Sequence, residues 1–189
     1  MRYRPEHKAE IRQKIVKDAS RRMRAEGING AAVSSVMRDA GLTHGGFYKH
    51  FRDKDELIME SLSEAFTEMS DTLTQVGKQS QPAWKAIVKA YLSLEHCDQA
   101  ECGCPLAALA PELARADKGM QSQILTELTN YKNKMLPLMP GRRTAEKELA
   151  FFVIFSTMAG AIDIARMLPK PAMREKVLTT ARDFLLRSF

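Results

Sequence analysis

The stretch of residues 31–51 constrains the fold most, because its pattern indicates two short helices joined by a tight turn. Four apolar residues in its first half lie on one helix face: Val33, Val36, Met37 and Ala40. Gly41 tolerates the positive φ that often ends a helix, and Thr43 is a good N-cap for a second helix. Helices this short bury little surface by themselves, and a pair of this kind suits a DNA major groove.

Positive charge is concentrated around this helix pair. Residues 1–54 carry 13 Lys and Arg against 6 Asp and Glu, whereas residues 55–189 carry 16 against 17. The formal net charge of +6 therefore resides in the first third of the chain. A basic segment on a nearly neutral body favours a local surface for a polyanion over a solvated positive face.

Composition leads us to expect a cytoplasmic protein with no membrane span. Hydrophobic residues make up 44% of the sequence, which supports a real core. The N-terminus is charged as far as Arg24 and lacks the apolar segment of a signal peptide. The longest apolar run, 149–162, is shorter than the roughly 20 residues that cross a bilayer. Three cysteines without a signal sequence indicate a reducing compartment.

Helical periodicity recurs along the chain, with Pro and Gly between the periodic segments and no convincing strand. We therefore expect an all-α fold of about nine helices. Beyond the opening pair, the predicted helices cover approximately residues 6–26, 53–76, 82–92, 105–113, 118–136, 144–168 and 171–187. Asp53 is predicted to cap the fourth helix, and residues 98–103 are predicted to form a loop.

The eighth predicted helix is apolar on nearly every side over residues 149–162. A helix that is apolar all round is buried all round. One subunit of this size rarely covers both faces. We therefore expect a homodimer in which helices 8 and 9, about 144–187, pack against their copies across a two-fold axis. The alternative is a central core helix of a monomer.

Residues 27–57 resemble the DNA-binding domain of the TetR (tetracycline-repressor) family. The residues that carry the resemblance keep a fixed register: Gly27, Val33, Val36, Ala40-Gly41, Leu42-Thr43, Gly45, Phe47-Tyr48, His50-Phe51, Lys54 and Leu57. The resemblance implies a transcriptional regulator, usually a repressor, that releases a palindromic operator when a small-molecule effector binds. We expect a helix-turn-helix domain over 1–54, extending to about residue 68, and an effector-binding and dimerisation domain over 55–189.

Eight residues on and beside the second short helix are candidates for DNA contacts: Thr43, His44, Gly45, Gly46, Tyr48, Lys49, His50 and Lys54. The hydroxyl of Thr43 can donate to a phosphate, which the helix N-terminus also attracts. His44 and Lys49 are candidates for base edges or phosphates. Arg2 and Arg4 could form an arm along the DNA.

Two positions depart from the pattern that the resemblance implies. Family members commonly cap the first short helix with Thr or Ser where this chain has Ala31, and losing such a cap costs about 0.5–2 kcal/mol. Many members carry a hydroxyl or Ala where this chain has Gly46, which offers no side chain to a base. Both departures are compatible with the fold and bear on the operator sequence.

Aromatic and Met residues on predicted helices 4 to 8 are candidates for an adaptable apolar effector pocket. They are Phe66, Met69, Trp84, Tyr91, Met120, Tyr131 and Phe155. Most stripes of this kind belong to a core, and none of these residues carries a charge that would name a ligand.

Three cysteines near the start of the sixth helix suggest another kind of sensor: Cys97, Cys102 and Cys104. Cys104 precedes Pro105 at a helix N-terminus, where a thiol pKa is often lowered. An electrophile or oxidant sensor, a metal site that includes His96, and a structural role are all open. Cys-x-Cys with one His lacks the usual paired zinc spacing, so we predict no metal and no cofactor.

The sequence has no motif that supports an enzyme. A Gly-rich phosphate loop, a nucleophile elbow and a His-Glu-x-x-His helix are all missing. An architectural protein that binds DNA without sequence preference would not need the large apolar C-terminal half. The sequence therefore favours a ligand-responsive regulator of transcription.

Overall fold

The computed structural model describes residues 5–189, and within that range all regular structure is helical. The nine α-helices are α1 (Pro5–Gly30), α2 (Val33–Asp39), α3 (Lys54–Lys78), α4 (Ala83–Tyr91), α5 (Leu94–Asp98), α6 (Pro105–Leu113), α7 (Lys118–Met135), α8 (Thr144–Arg166) and α9 (Pro171–Ser188). Three 3-10 helices lie between them: His44–Lys49, Ala100–Cys102 and Leu136–Leu138. The predicted all-α fold is confirmed. Arg2 and Arg4 lie outside the described residues.

Four local predictions differ from the structure. Within the predicted loop 98–103, Ala100–Cys102 forms a 3-10 helix. The first helix does not end at Gly27: the chain kinks there with a φ of 79° and helix resumes to Gly30. The second short helix of the opening pair, His44–Lys49, is a 3-10 helix. Helix α5 was not predicted, because five residues are too few for a periodic pattern. Ser93 caps it, accepting a 3.2 Å hydrogen bond from the backbone N–H of His96.

A small hydrophobic core holds α1, α2 and the 44–49 helix against the start of α3. Its fully buried members include Ile15, Met23, Met37, Phe47, Phe51 and Leu57. The rings of Phe47 and Phe51 stack with centroids 5.3 Å apart. Large side chains from four helices thereby stabilise a unit in which no single helix buries enough surface alone.

Helix α3 leads from this core into the C-terminal half. The predicted cap is confirmed: the Asp53 carboxylate accepts a 2.8 Å hydrogen bond from the backbone N–H of Glu56. Further along, α3 buries Leu62, Phe66 and Leu73 and packs against α4 and α7. The proposed boundary between residues 54 and 55 falls in the first turn of this continuous helix and stays a prediction.

Helix α8 is buried on one face only. Phe151, Ile154 and Phe155 face the core, whereas Leu149 and Phe152 are 63% and 58% exposed. By length and composition alone α8 could cross a membrane, with a mean hydropathy of 1.7 over its most apolar window. The core helix of a soluble protein can have the same length and composition, so the expectation of no membrane span stays a prediction. The buried face of α8 packs against α9 and the rest of the bundle, as the core helix of a soluble protein does.

Candidate DNA-binding surface and effector clefts

The 44–49 helix presents an exposed surface that is rich in hydrogen-bond donors. His44, Gly45 and Lys49 are exposed, and the side chain of Tyr48 is 69% exposed. Phe47 on the opposite side is 2% exposed, as expected for a core residue. One face of this helix therefore anchors it, and the other is open to a partner.

A network of charged groups fixes the end of the 44–49 helix to α1 and α3. The Arg12 guanidinium lies 4.3 Å from the centre of the Phe51 ring and donates a 2.7 Å hydrogen bond to Glu56 and further bonds to Glu60. Glu56 also accepts a hydrogen bond from the backbone N–H of Arg52 at 2.6 Å. The hydrogen bond from the Arg52 N–H, followed by that from Arg12, lowers the pKa of Glu56. The bonds to Glu56 and Glu60 hold Arg12 in the scaffold.

Thr43 occupies the N-cap position of the 44–49 helix in an extended conformation, with φ −80° and ψ 152°. Its side chain makes no capping hydrogen bond and is exposed, so the hydroxyl and the first N–H groups of the helix remain available to a phosphate. The N-cap of α2 is Ala32, one residue after Ala31, the predicted cap position. Ala31 itself is buried. Helix α2 also has no side-chain cap.

His50 lies half-buried at the end of the 44–49 helix. Its Nδ1 atom is buried and has no hydrogen-bond partner among the residues that the structure describes. Burial lowers the pKa of the imidazole, and the positive charges of Lys8, Arg12 and Lys49 lower it further. The imidazole thus borders a surface with three positive charges, which attracts a phosphate.

The concave surface beside this helix is formed jointly by α1, the turn after α2 and the helix itself. It encloses about 710 Å³ and is lined by Lys8, Ile11, Gly41, Leu42, Thr43, Gly46, Tyr48, Lys49 and His50. Five of the eight predicted DNA-binding residues therefore share one surface. Lys54 lies half-buried in the first turn of α3, and Gly45 and His44 lie on the exposed side of the 44–49 helix.

Two clefts flank the aromatic core of the C-terminal half. The larger, about 660 Å³, runs between α6, α7 and α8 and is lined mainly by apolar residues: Leu106, Ala110, Leu125, Leu128, Thr129, Lys132, Phe151, Phe152, Phe155, Ser156, Ala159, Gly160 and Asp163. The smaller, about 370 Å³, is lined by residues of α3, α4 and α5 that include Met69, Tyr91, His96 and Cys102. Burial raises the pKa of Asp163 at one end of the larger cleft.

The structure distributes the predicted pocket residues among several environments. Phe155 lines the larger cleft, and Met69 and Tyr91 line the smaller one. Phe66 and Tyr131 belong to a buried aromatic cluster, with ring centroids 5.4 Å apart. The remaining two line neither cleft: Trp84 packs against Phe189, and Met120 is half-buried against the core.

The cysteines differ in exposure in a way that the sequence did not indicate. Cys102 is exposed, whereas Cys97 and Cys104 are buried. Burial raises the pKa of the Cys104 thiol, which corrects the expectation that its position at a helix N-terminus lowers that pKa. Burial raises the pKa of Cys97 as well. In residues 5–189 no group of His, Cys, Asp and Glu side chains is arranged to hold a metal ion.

His96 connects α4 to the start of α6 through both ring nitrogens. Its Nδ1 lies 2.7 Å from the carbonyl oxygen of Tyr91, and its Nε2 accepts a 3.2 Å hydrogen bond from the backbone N–H of Cys104. This pair of bonds requires a neutral ring that is protonated at Nδ1. Burial lowers the pKa of His96 accordingly, and Arg166 adds to the effect. The histidine is therefore a structural link.

Helix α1 contacts the beginning and the end of α6. Near the beginning, the buried Arg24 donates hydrogen bonds to the Gly103 carbonyl at 3.2 Å and to Glu68 at 2.6 Å. Near the end, Glu112 accepts a 2.9 Å hydrogen bond from the backbone N–H of Ile28. Gly27 permits this approach, since a Cβ there would lie 2.6 Å from a Glu112 carboxylate oxygen.

Comparison with known proteins identifies the family. Residues 15–60 match the model of bacterial regulatory proteins of the tetR family. TtgW, a transcriptional regulator of the helix-turn-helix type from Pseudomonas putida, is 30% identical over 93 residues, which are 49% of this chain and 68% of TtgW. The chain belongs to the TetR family. SrpR, another such regulator from Pseudomonas putida, is also 30% identical over 93 residues, but the match spans only 43% of SrpR.

Solved TetR-family structures share the whole fold. A TetR regulator from Chloroflexus aurantiacus has a TM-score of 0.75 at 20% identity, with 96% of each chain covered. The reduced form of NemR from E. coli has a TM-score of 0.72 at 16% identity, covering 93% of this chain and 95% of NemR. FadR from Bacillus subtilis in complex with stearoyl-CoA has a TM-score of 0.68 at 16% identity, covering 94% and 98%. The C-terminal half thus keeps the family fold at low sequence identity.

Sequence reasoning missed most of the residues that line the larger cleft of this TetR-family chain. Leu106, Lys132 and Asp163 were not among the candidates, although they line it together with Phe155. The buried link formed by Arg24 was missed as well, because Arg24 looked like part of a diffuse basic surface. Periodicity shows that a residue lies on an apolar or polar face, and only packing decides which groove that face borders.

Proposed function

We propose that this TetR-family regulator is a homodimeric repressor that leaves a palindromic operator when a small molecule binds its C-terminal half. The observation that carries the proposal is the position of α6 between two sites. Leu106 and Ala110 of α6 line the larger cleft, and Glu112 of the same helix binds α1. A ligand that displaces α6 would therefore move α1, on which the DNA-binding surface is built.

The proposed DNA contacts follow from exposure and charge on the 44–49 helix. Tyr48 and Lys49 reach the major groove, and Thr43 and His50 contact phosphates at either end of the helix. Lys54 adds a backbone contact from α3, while His44, Gly45 and Gly46 lie closest to the base edges. Phosphate contacts fix the register of the protein on the duplex, and base contacts select the sequence.

The proposed dimer uses the exposed face of α8 and α9. Large apolar side chains concentrate there: Leu149, Phe152, Val153, Ile164, Met167, Met173 and Phe184. A contiguous apolar surface of this kind on a monomer marks an interface. Two copies related by a two-fold axis would place their 44–49 helices in major grooves separated by about 34–36 Å or a multiple of it.

The proposed effector is a largely apolar small molecule that binds in the cytoplasm, where operator DNA is accessible. The larger cleft, with its lining of Leu106, Phe151 and Phe155, supports an apolar ligand, because such sites combine many hydrophobic contacts with few polar groups. Residues 55–189 would form the effector-binding and dimerisation domain, and residues 1–54, extended to about 68, the DNA-binding domain.

Thiol modification is a second candidate for the release signal. The observation in its favour is that Cys102 is exposed and lines the smaller cleft, two residues before Cys104 and the start of α6. Modification of Cys102 would place a new group beside Gly103, whose backbone carbonyl accepts a hydrogen bond from Arg24.

Operator selection tests the proposed function. The full-length protein is used to enrich binding sites from random duplex DNA, followed by footprinting of the recovered sites. We expect a near-palindromic site protected by a dimer. Lys49→Ala should weaken binding about tenfold or more and reduce the salt dependence by about one counterion. Lys118→Ala, which removes an exposed charge from α7, is the matched control and should bind like the wild type. A single unrepeated half-site bound by a monomer would contradict the proposal.

A further inference from the structure

Two tyrosine hydroxyls are buried in the C-terminal half. Tyr91 on α4 is 1% exposed, and Tyr131 on α7 is 3% exposed. Both hydroxyl oxygens are buried, and neither has an oxygen or nitrogen partner among the described residues. The Tyr91 hydroxyl interacts with the thiol of Cys104. Buried hydroxyl groups nearly always find a partner, because removing them from water without one is unfavourable. Two such groups in one core could both be satisfied by one acceptor from outside the chain.

The thiol of Cys104 is the polar group that lies near both hydroxyls. It contributes to the raised pKa of Tyr91 and to that of Tyr131, after the larger effect of burial. Burial also raises the pKa of Cys104, so all three groups keep their protons at neutral pH. A thiol is a weak hydrogen-bonding group, which leaves the two O–H groups available as donors.

The two tyrosines are close to residues that line the clefts described above. Tyr91 itself lines the smaller cleft. Phe155 lines the larger cleft, and its ring centroid is 5.4 Å from that of Tyr131 and 6.4 Å from that of Tyr91. The ring of Phe155 thus contacts both tyrosine rings and also borders the larger cleft.

We propose that the hydroxyls of Tyr91 and Tyr131 are the hydrogen-bond donors of the effector site. They recognise the oxygen of a neutral carbonyl group on an otherwise apolar molecule that has the size of an aromatic ring system. The apolar part of the molecule occupies the larger cleft, with Phe155 rotated away. This inference rests on the proposed function, because it names the class of molecule that the regulator senses.

A neutral carbonyl fits this site better than a carboxylate. Arg166 is the charged group that acts on both Tyr91 and Cys104. Its guanidinium already donates to the carbonyl oxygens of Cys97 at 3.0 Å and His96 at 3.3 Å. A buried carboxylate would need a cation of its own, whereas a ketone oxygen needs only the two O–H donors.

A matched series of three probes tests the inference by direct calorimetric titration of the DNA-free protein. The probes are 2-acetonaphthone, its hydrocarbon analogue 2-ethylnaphthalene, and 2-naphthoate. The variants are Tyr91→Phe, Tyr131→Phe and the double variant, which remove the hydroxyls and keep the rings. Tyr48→Phe, whose hydroxyl lies on the exposed 44–49 helix, is the matched control.

We expect the wild type and Tyr48→Phe to bind 2-acetonaphthone about tenfold more tightly than 2-ethylnaphthalene, the ratio that one net hydrogen bond supplies. The preference should fall in each single variant and disappear in the double variant. 2-Naphthoate should bind more weakly than the ketone. The melting temperature of the free Tyr→Phe proteins should stay the same or rise, because an unpaired buried hydroxyl has been removed.

Three results would overturn the inference: no binding of 2-acetonaphthone to the wild type at its aqueous saturation, the same ketone preference in the double variant, or a lower melting temperature in the single Tyr→Phe proteins. The last would mean that the hydroxyls are already hydrogen-bonded in the free protein. Operator release is measured separately. Ketone binding with the expected preference but without release would contradict the proposed function, whereas the carbonyl-binding role of the two hydroxyls would stand.

Discussion

The guanidinium of Arg24 donates a 3.2 Å hydrogen bond to the carbonyl oxygen of Gly103, 79 residues further along the chain. The same guanidinium forms a 2.6 Å ion pair with Glu68 of α3. Arg24 thereby ties α1, which carries the DNA-binding core, to α3 and to the loop before α6. The guanidinium of Arg24 is thus a permanent positive charge in the interior of the protein. Its burial is tolerated only because these acceptors compensate the charge.

The burial of this ion pair predicts an asymmetry between its two members. The Arg24 side chain is 0% exposed and that of Glu68 is 32% exposed. Glu68→Ala leaves a buried, unpaired cation and should lower the free energy of unfolding by about 3–5 kcal/mol. Arg24→Met should cost less, because the remaining Glu68 carboxylate can be hydrated. Urea unfolding of both variants measures the difference, and a larger loss in Arg24→Met would contradict the interpretation.

Gly46 can be replaced without strain. A Cβ at Gly46 would lie 3.6 Å from Met37 Cε and 3.7 Å from Thr43 Oγ1, which are ordinary contacts, and its φ is negative. Gly46→Ala should therefore raise the free energy of unfolding by about 0.4–1 kcal/mol, through lower entropy of the unfolded chain.

Gly41→Ala is the contrasting variant for this prediction. Nothing lies within 4 Å of a Cβ at Gly41, but its φ is +74°. That conformation should cost an Ala roughly 1–2 kcal/mol. Chemical denaturation measures the free energy of unfolding of both variants. Equal changes in Gly46→Ala and Gly41→Ala would show that backbone conformation does not determine the effect of the substitution. The operator affinity of Gly46→Ala then reports whether the missing side chain matters for DNA binding.

The free protein should lose stability as the pH falls through the range of an ordinary histidine. Burial lowers the pKa of both His50 and His96 in the folded state, with Lys8, Arg12 and Lys49 adding to the effect at His50 and Arg166 at His96. The unfolded chain therefore binds protons more readily. The contribution of the two histidines to the free energy of unfolding is therefore fully present above about pH 6.5. It is lost as the pH falls from there toward the folded-state pKa values.

Urea unfolding between pH 5 and 8 measures this slope. His50→Leu should reduce it, because one of the two histidines no longer titrates. His44→Leu is the control, since His44 is exposed on the same helix. A slope that His50→Leu leaves unchanged would mean that His50 has the same pKa in both states.

Operator-bound protein should respond to pH in the opposite sense at His50. A phosphate beside the imidazole favours its protonated form, so DNA binding takes up a proton and operator affinity rises as the pH falls toward 6. Fluorescence anisotropy at constant ionic strength measures this, and His50→Gln should remove the dependence. An affinity that falls with decreasing pH in the wild type would refute the assigned phosphate contact.

Brief treatment of the native protein with N-ethylmaleimide should modify Cys102 and spare Cys97 and Cys104. Only the first is exposed, and burial keeps the pKa of the other two raised. Mass spectrometry of peptides locates the adducts. If thiol modification releases the operator, Cys102→Ser should abolish release and Cys104→Ser should not. Release that persists in Cys102→Ser would eliminate thiol sensing through this residue.

Charge on the exposed face of α8 should separate the proposed dimer. Val153→Glu and Ile164→Glu each place a carboxylate on a surface where the wild-type side chains are 41% and 50% exposed. Sedimentation should show monomers with unchanged helix content, and operator affinity should fall because one half-site is lost. Leu125→Glu on α7, 64% exposed in the wild type, is the control and should remain dimeric. A monomeric wild type would contradict the proposal.

Local patterns were sufficient to predict the N-terminal third. The spacing of Val36 and Met37, the cap at Asp53 and the aromatic pair Phe47 and Phe51 all act within a few residues of sequence, and the structure places each as expected. The family assignment followed from the same register. Helices α6 to α9 were predicted from the positions of Pro residues and from periodicity, which are also local signals. The helices against which they pack were not predicted.

The tertiary structure decided what those helices enclose. Cys104 occupies a helix N-terminus, as the sequence indicates, yet its burial raises the thiol pKa that its position alone would lower. Phe66 and Tyr131 belong to one aromatic stripe with Phe155, but only the last borders the larger cleft. Sequence determines helices, caps and apolar faces because these depend on near neighbours. Burial, cleft lining and the Arg24 link depend on segments far apart in the chain, and only their packing brings them together.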